Sequence, residues 1–378
     1  MKAIVNGTIL LPTGPAAGKA LLFDRVCLGL TEQPPAGAEI IDARGLYVSP
    51  GFIDVHIHGY LGEDASDGSP EGLVRMARGI VKNGVTSFLP TTMTVPLPQL
   101  RAAFAAIRAC MGRETGGAQI LGCHAEGPFI NAKKKGAQAE AAILPPDAGL
   151  LLPDSDVIRL VTLAPELPGA LDCIRALREA GMRVNIGHTE ADYDTARAAL
   201  AAGATGFTHT FNAMSALGHR APGAVGAALS TDASCELIAD AFHVHPALFS
   251  LLHRCKGEKL LLITDCTRAG GLADGKYDLG GQESRVRGIE CRLADGTIAG
   301  SVLKMNEAVR NLRGHAGLPL HEAVNCASLH PARALGLDRQ KGSLLTGRDA
   351  DIVLLDEDCQ VHAAWVGGNL QYIAHNLQ

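Results

Sequence analysis

The chain has 378 residues, 47% hydrophobic and 19% charged, with a net charge of −5. That is enough apolar material for a large core, in one big domain or two to three small ones. No basic stripe marks a nucleic-acid surface, and no apolar run reaches the ~18 residues that a bilayer span needs, so neither nucleic acid nor a membrane is expected as a partner.

Low aromatic content and 44 glycines suit an α/β enzyme better than an all-β or fibrous protein. The ten cysteines form no Cys-x-x-Cys pair, which argues against a zinc ribbon or a disulfide framework. Asn6 and Gly7 interrupt the N-terminus before a signal-peptide core can form, so the expected location is the cytoplasm. Residues 1–50 read as short strands with Pro/Gly turns, at 2–5, 20–28 and 38–42. From Pro50 short apolar strands alternate with Ala/Leu/Arg-rich helices, the pattern of parallel βα units. The strands end near His56, Leu89, Glu126, Ala164, His188, His209, Asp240 and Asp265. Helices are predicted over 70–83, with Ser69 as N-cap, and over 97–111, 168–180, 191–202 and 246–255. Gly181 and Gly203 stand where left-handed C-caps are wanted. Residues 269–298 read as a Gly-rich loop or hairpin insertion. Helices follow at 303–316, 320–327 and 331–335, and strands return at 351–355, 361–366 and after Gly367-Gly368. The expected fold is a (β/α)8 TIM-like barrel over 51–341. A small β-sandwich domain is expected from both termini, 1–50 plus 342–378.

In such a barrel, active-site residues sit at the C-terminal ends of strands, where the His, Glu and Asp residues fall. A catalytic zinc site commonly takes two His and one Glu and leaves a position for water; Glu126, His188 and His209 supply that set. In His56-Ile-His58 the two imidazoles point to one face, because strand side chains alternate. Asp265 ends an apolar strand. It reads either as a turn residue or as a base that moves a proton beside a metal, which lowers the pKa of its water toward ~7.

Pro50-Gly-Phe-Ile-Asp-Val-His-Ile-His58 with Glu126, His188, His209 and Asp265 resembles the amidohydrolase superfamily. Within it, four stretches resemble the N-acetylglucosamine-6-phosphate deacetylases: His124-Ala-Glu-Gly-Pro-Phe, Gly187-His-Thr-Glu-Ala, Thr208-His-Thr-Phe-Asn-Ala-Met and Thr264-Asp-Cys-Thr-Arg-Ala-Gly-Gly. They occur in order and cover nearly the whole chain. The resemblance implies hydrolysis of the N-acetyl group of an amino-sugar phosphate, with Glu126, His188 and His209 as principal metal ligands and Asp265 as catalytic acid/base. It implies that the Asn212–Ala213 loop and Arg220 contact the substrate phosphate and that His243 binds the sugar. It also implies one or two divalent metals per subunit, zinc first and iron, cobalt or manganese as alternatives. His56 and His58 either hold a second metal with a bridging Glu126 or stand idle beside one. Gln138 stands where some members have a histidine, and it can hydrogen-bond a sugar hydroxyl or phosphate. The run Lys133–Lys135 reads as a solvated face in preference to a phosphate site. A homodimer is expected, with the choice between Arg220 acting in its own subunit or a neighbour's left open. The galactosamine epimer, a cyclic-amide hydrolase, a nucleobase deaminase and a non-catalytic sugar-phosphate sensor are the competing readings.

Overall fold

The computed structural model describes residues 1–375; the last three residues of the expected 342–378 segment lie outside the described residues. Eight parallel strands make the barrel: β1 (Phe52–Ile57), β2 (Val85–Thr92), β3 (Cys123–Glu126), β4 (Ile158–Leu163), β5 (Arg183–Ile186), β6 (Gly206–Phe207), β7 (Ser234–Ile238) and β8 (Leu260–Ile263). Every residue of β1, β2, β3 and β8 is buried. This is why they read as near-continuous apolar runs and not as alternating ones: parallel strands are covered on both faces. Each strand pairs in parallel with the next in chain order. Between β1 and β8 the closure is a single parallel bridge, Ile57 to Cys266, with the Asp265 amide donating to the His56 carbonyl at 2.9 Å. Each of the eight strand ends expected from sequence lies within three residues of an observed one, with Leu89 standing inside β2 and His188, His209, Asp240 and Asp265 two residues past their strands.

The helices lie close to expectation: α1 (Pro70–Ile80), α2 (Leu97–Cys110), α3 (Ala170–Glu179), α4 (Tyr193–Ala201), α5 (Gly223–Ser230), α6 (Ala247–Lys256), α7 (Met305–Ala316), α8 (Leu320–Ala327) and α9 (Leu329–Leu335). The Ser69 hydroxyl caps α1 by accepting from the Gly72 amide. Gly181 and Gly203 take positive φ after α3 and α4, as the caps require. Helix α5 is a helix the sequence reading lacked. Its residues from Gly223 to Ala228 are all buried, so it shows no polar face and no helical period.

The chain ends build two further sheets. In one, Cys27–Thr31, Ala20–Phe23, Lys2–Val5 and Glu39–Asp42 lie in that order; in the other, Tyr47–Pro50 from the N-terminal segment pairs with Ile352–Leu355 from the C-terminal one. The expected strand at 20–28 is thus two antiparallel strands, because Asp24 and Arg25 make a turn that folds the chain back. Thr8–Leu11, Gly14–Ala16 and Tyr47–Pro50 are strands beyond those expected. A separate core holds the two sheets face to face, with Ile4, Leu21 and Phe23 of one against Ile9, Val48, Ile352 and Trp365 of the other. The insertion after β8 is a three-stranded antiparallel sheet, Gly275–Leu279, Gln282–Arg287 and Glu290–Leu293. All ten cysteines are free thiols. Among the described residues no helix is long and apolar enough to cross a membrane.

Candidate active site

At the C-terminal mouth of the barrel, two groups of side chains come together: Glu126, His188 and His209 in one, His56, His58 and Asp265 in the other. Three of these residues sit just past their strands in left-handed backbone: His188 at φ 51°, His209 at φ 31° and Asp265 at φ 50°. Non-glycine residues adopt this region rarely, and such strain gathers at functional sites. Gly187 makes the β5 turn sterically feasible. A Cβ there would lie 2.7 Å from the Thr162 methyl and 2.9 Å from the Thr208 Cβ.

The donor atoms converge closely. Glu126 Oε1 lies 3.2 Å from His188 Nε2, 3.0 Å from His209 Nε2 and 3.4 Å from His56 Nε2, while Glu126 Oε2 lies 3.3 Å from His58 Nε2. Asp265 Oδ1 is 3.3 Å from His56 Nε2 and 3.2 Å from His58 Nε2. One carboxylate, Glu126, therefore faces both groups. The Nε2 atoms also crowd one another, at 3.1 Å between His188 and His209 and 3.3 Å between His56 and His58.

The opposite ring nitrogens explain what these Nε2 atoms are for. Nδ1 of His58 faces the Thr91 carbonyl at 3.1 Å, that of His188 the Lys134 carbonyl at 2.7 Å, and that of His209 the Asn212 carbonyl at 3.2 Å. A carbonyl only accepts, so each Nδ1 carries the proton, and a neutral ring then turns its Nε2 lone pair inward. Lone pairs aimed at one another, beside carboxylates, need a cation between them. Four donors ~2.0–2.1 Å from a zinc-like ion stand ~3.3–3.4 Å apart, close to the observed spacings. The chemistry and spacing of the donor set thus fit divalent metal.

Electrostatics point the same way. Burial favours neutral rings on His56 and His58, but Glu126 and Asp265 outweigh it, with Glu236 adding to His56, and both pKa values rise, that of His58 well above its ordinary value. Burial pushes the Glu126 carboxyl up, yet the rings of His56 and His188 hold it well below the usual carboxylate range. Burial also opposes ionisation of Asp265, and His58 and His56 bring it down to about 2. The site is built to hold positive charge among fixed carboxylates.

Three residues to which the sequence reading gave no role support it. Glu236, inside β7, places Oε2 3.3 Å from His56 Nδ1 and Oε1 2.9 Å from the Asn185 amide. Asp240 accepts from His243 Nδ1 at 2.6 Å and from the His243 amide at 2.8 Å. His124 of the His-Ala-Glu motif bonds the Val55 carbonyl and the Thr162 hydroxyl, and burial with nearby His56 drives its pKa well down, so it packs as a neutral ring. A carboxylate inside an apolar strand was the one available signal for Glu236.

A cavity of about 350 Å³ opens above the donors, lined by His58, Glu126, His188, His209, Asp265, Asn212, Ala213, His243, Gln138 and the Lys133–Lys134 pair. His56 lies fully buried beneath it. Gln138 lines the cavity as expected of a substrate contact, and its side chain also accepts from the Thr94 amide at 2.7 Å and donates to Glu126 Oε2 at 2.5 Å. Arg220 is exposed and lies outside the residues that line the cavity. The insertion closes one wall through Leu279, Thr297 and Ile298, a contribution the sequence did not disclose.

A family model described as the amidohydrolase family matches residues 47–371. The chain is 42% identical to N-acetylgalactosamine-6-phosphate deacetylase of Escherichia coli O157:H7, over 89% of this chain and 90% of that protein. It is 41% identical to N-acetylglucosamine-6-phosphate deacetylase of Bacillus subtilis (strain 168), over 91% of this chain and 90% of that protein. The solved structure of N-acetylglucosamine-6-phosphate deacetylase from Pasteurella multocida superposes with a TM-score of 0.94 at 33% identity, covering 98% of this chain and 99% of that one.

Proposed function

The chain belongs to the amidohydrolase family, and on that premise we propose that it hydrolyses the N-acetyl group of N-acetylglucosamine 6-phosphate to acetate and glucosamine 6-phosphate. The observation that carries this reading is the meeting of both donor groups with Asp265 at the floor of one cavity. Glu126, His188 and His209, and His56 and His58 beside them, would hold one or two divalent cations, zinc first, which would supply a Lewis acid and an activated water. Asp265 takes a proton from the attacking water and returns it to the amine nitrogen as the C–N bond breaks. His243, whose Nδ1–H donates to the Asp240 carboxylate, turns its Nε2 lone pair to the cavity and accepts from a hydroxyl of the sugar. Gln138 steadies Glu126 through the bond to its Oε2. The Asn212–Ala213 loop and Arg220 hold the phosphate, Arg220 through its planar fork.

Arg220's exposure supports a homodimer in which it reaches a neighbour's cavity. Mixing Arg220→Ala with Asp265→Asn subunits then restores activity, because one cavity in each mixed dimer is complete; no recovery after confirmed subunit exchange refutes the shared site. We place the enzyme in the cytoplasm and assign 1–50 with 342–378 to the small β domain and 51–341 to the catalytic barrel.

The test is acetate release by metal-loaded protein from N-acetylglucosamine 6-phosphate, with unphosphorylated N-acetylglucosamine as control. Release from neither sugar sinks the deacetylase reading. N-acetylgalactosamine 6-phosphate belongs in the same assay, since the 42%-identical relative carries that name; a higher kcat/KM for it makes the galactosamine epimer the substrate.

A further inference from the structure

The opposite end of the barrel carries a second concave surface. A groove of about 690 Å³ runs across the N-terminal ends of β5 to β8, lined by Arg183, Thr205, Ser234, Lys259, His330 and Arg333, with Arg197 of α4 on its rim. Arg183 is the first residue of β5, five residues before His188, so at ~3.3 Å per residue the groove floor lies roughly 16 Å from the metal donors. A neighbouring depression of about 530 Å³ shares Arg183 and adds Arg159 and Arg178.

The charge here is unbalanced. Two cations of the groove are matched, Lys259 with Asp232 at 3.5 Å and Arg333 with Glu258 at 2.6 Å. Arg183 and Arg197 of the groove, and Arg159 and Arg178 of the depression beside it, are not. Among the described residues, Arg159 and Arg178 bond only backbone carbonyls, of Leu121 and Met182. Arg197 reaches the Tyr193 hydroxyl. Arg183 is half-buried with Arg178 as a like-charged neighbour, and burial and that neighbour both weaken its hold on its proton. Its guanidinium is packed against Gly336, the left-handed residue that ends α9, where an added Cβ would come within 2.9 Å of Nη2. Guanidinium groups gathered without a carboxylate partner of their own, in a chain of net charge −5, offer an anion from outside a place to bind. The groove's volume falls in the ~300–1,000 Å³ range of small-molecule sites, and the guanidinium fork matches the oxygens of a phosphoryl group.

We propose that the groove at the N-terminal end of the barrel, with Arg183 at its floor and Arg197 at its rim, is a second ligand site that binds the phosphoryl group of a small molecule, separately from the catalytic cavity. Equilibrium dialysis of the metal-loaded full chain against labelled inorganic phosphate, and separately against glucose 6-phosphate, compares wild type with an Arg183→Gln/Arg197→Gln double variant. Wild type binds one more phosphoryl group per chain than the double variant, and the variant keeps its rate of acetate release. Because the readout is that difference, it holds even if the deacetylase reading fails. Arg197→Glu alone, at an exposed position, guards against misfolding and weakens the same site roughly 10- to 100-fold, as expected for a lost charged hydrogen bond. Binding of inorganic phosphate alone identifies the ligand as the free anion, and binding of both probes identifies a phosphate ester. Equal stoichiometry and affinity in wild type and variants, with either probe, overturns the proposal.

Discussion

Replacing Glu236 should loosen the metal centre without touching a metal donor. Its carboxylate is buried in β7 and meets three donors: His56 Nδ1 at 3.3 Å, the His209 amide at 3.3 Å and the Asn185 amide at 2.9 Å. Glu236→Gln keeps an oxygen toward His56 and His209 if its NH2 turns to Asn185, whose own amide can flip to accept. What it removes is the charge that orients and enriches the His56 ring. Loss of such an outer partner costs roughly 10- to 100-fold in metal affinity, or about 1.4–2.7 kcal/mol, and Gln belongs at the lower end. Glu236→Ala leaves three buried donors unmatched at ~1–3 kcal/mol each, so the fold should lose about 3 kcal/mol or more as well. Competition with a chromophoric chelator gives the affinity, and melting with and without metal gives the stability. The expected order is wild type, Gln, then Ala in both readings. Wild-type metal affinity in both variants would show that His56 needs no support from Glu236, and the orienting argument would fail.

Asp265→Asn should lower kcat for acetate release by about 10²- to 10⁴-fold, the usual contribution of one acid/base group, with metal still bound by Glu126, His188 and His209; an unchanged rate removes Asp265 from proton transfer. Lys341→Met strands Asp349 and Asp351, each now 2.8 Å from the buried ammonium, and should cost ~3–5 kcal/mol in denaturant unfolding. Burial opposes the Lys341 charge, but Asp351 and Asp349 raise its pKa overall, so this stabilisation is complete below the unfolded value of ~10.4 and is lost as pH rises through the folded one. His330 runs the other way. Burial, aided by Arg333 and His253 and opposed by the Leu260 carbonyl and Glu258, lowers it to about 4. Between ~6.5 and that value the unfolded chain binds a proton the folded chain refuses, so stability falls by up to ~1.4 kcal/mol per pH unit on acidification. His330→Asn, which keeps a donor for the Leu260 carbonyl, should flatten that slope, and an unflattened slope refutes the assignment.

Much of this architecture was legible because parallel barrel strands are dry on both faces. Their apolar runs stand out, and the polar residue that ends six of the eight marks the mouth. His188, His209 and Asp265 were readable for that reason. Helix α5 was not, because a helix buried all round has no amphipathic stripe to betray it. Glu236 and His56 lie 180 positions apart, and their pairing exists only after β7 and β1 take their places in the barrel. Gln138 could be recognised as polar and near the site. That both ends of its amide are used by Thr94 and Glu126 is a matter of side-chain packing. Arg220 had a motif to place it in a loop after β6, while its distance from the cavity depends on how that loop turns.

The carbonyls that hold His188 and His209 belong to Lys134 and Asn212, and both residues also line the cavity. Each imidazole therefore hangs by one main-chain bond from a loop that a bound molecule must touch. No side-chain substitution in those loops can cut that tether, and any substitution that shifts the backbone pulls on it. Loop grafts or insertions at 131–138 or 210–214, made to change what the cavity accepts, should be felt first at the metal, and loss of metal would pass for loss of recognition unless metal content is measured beside activity.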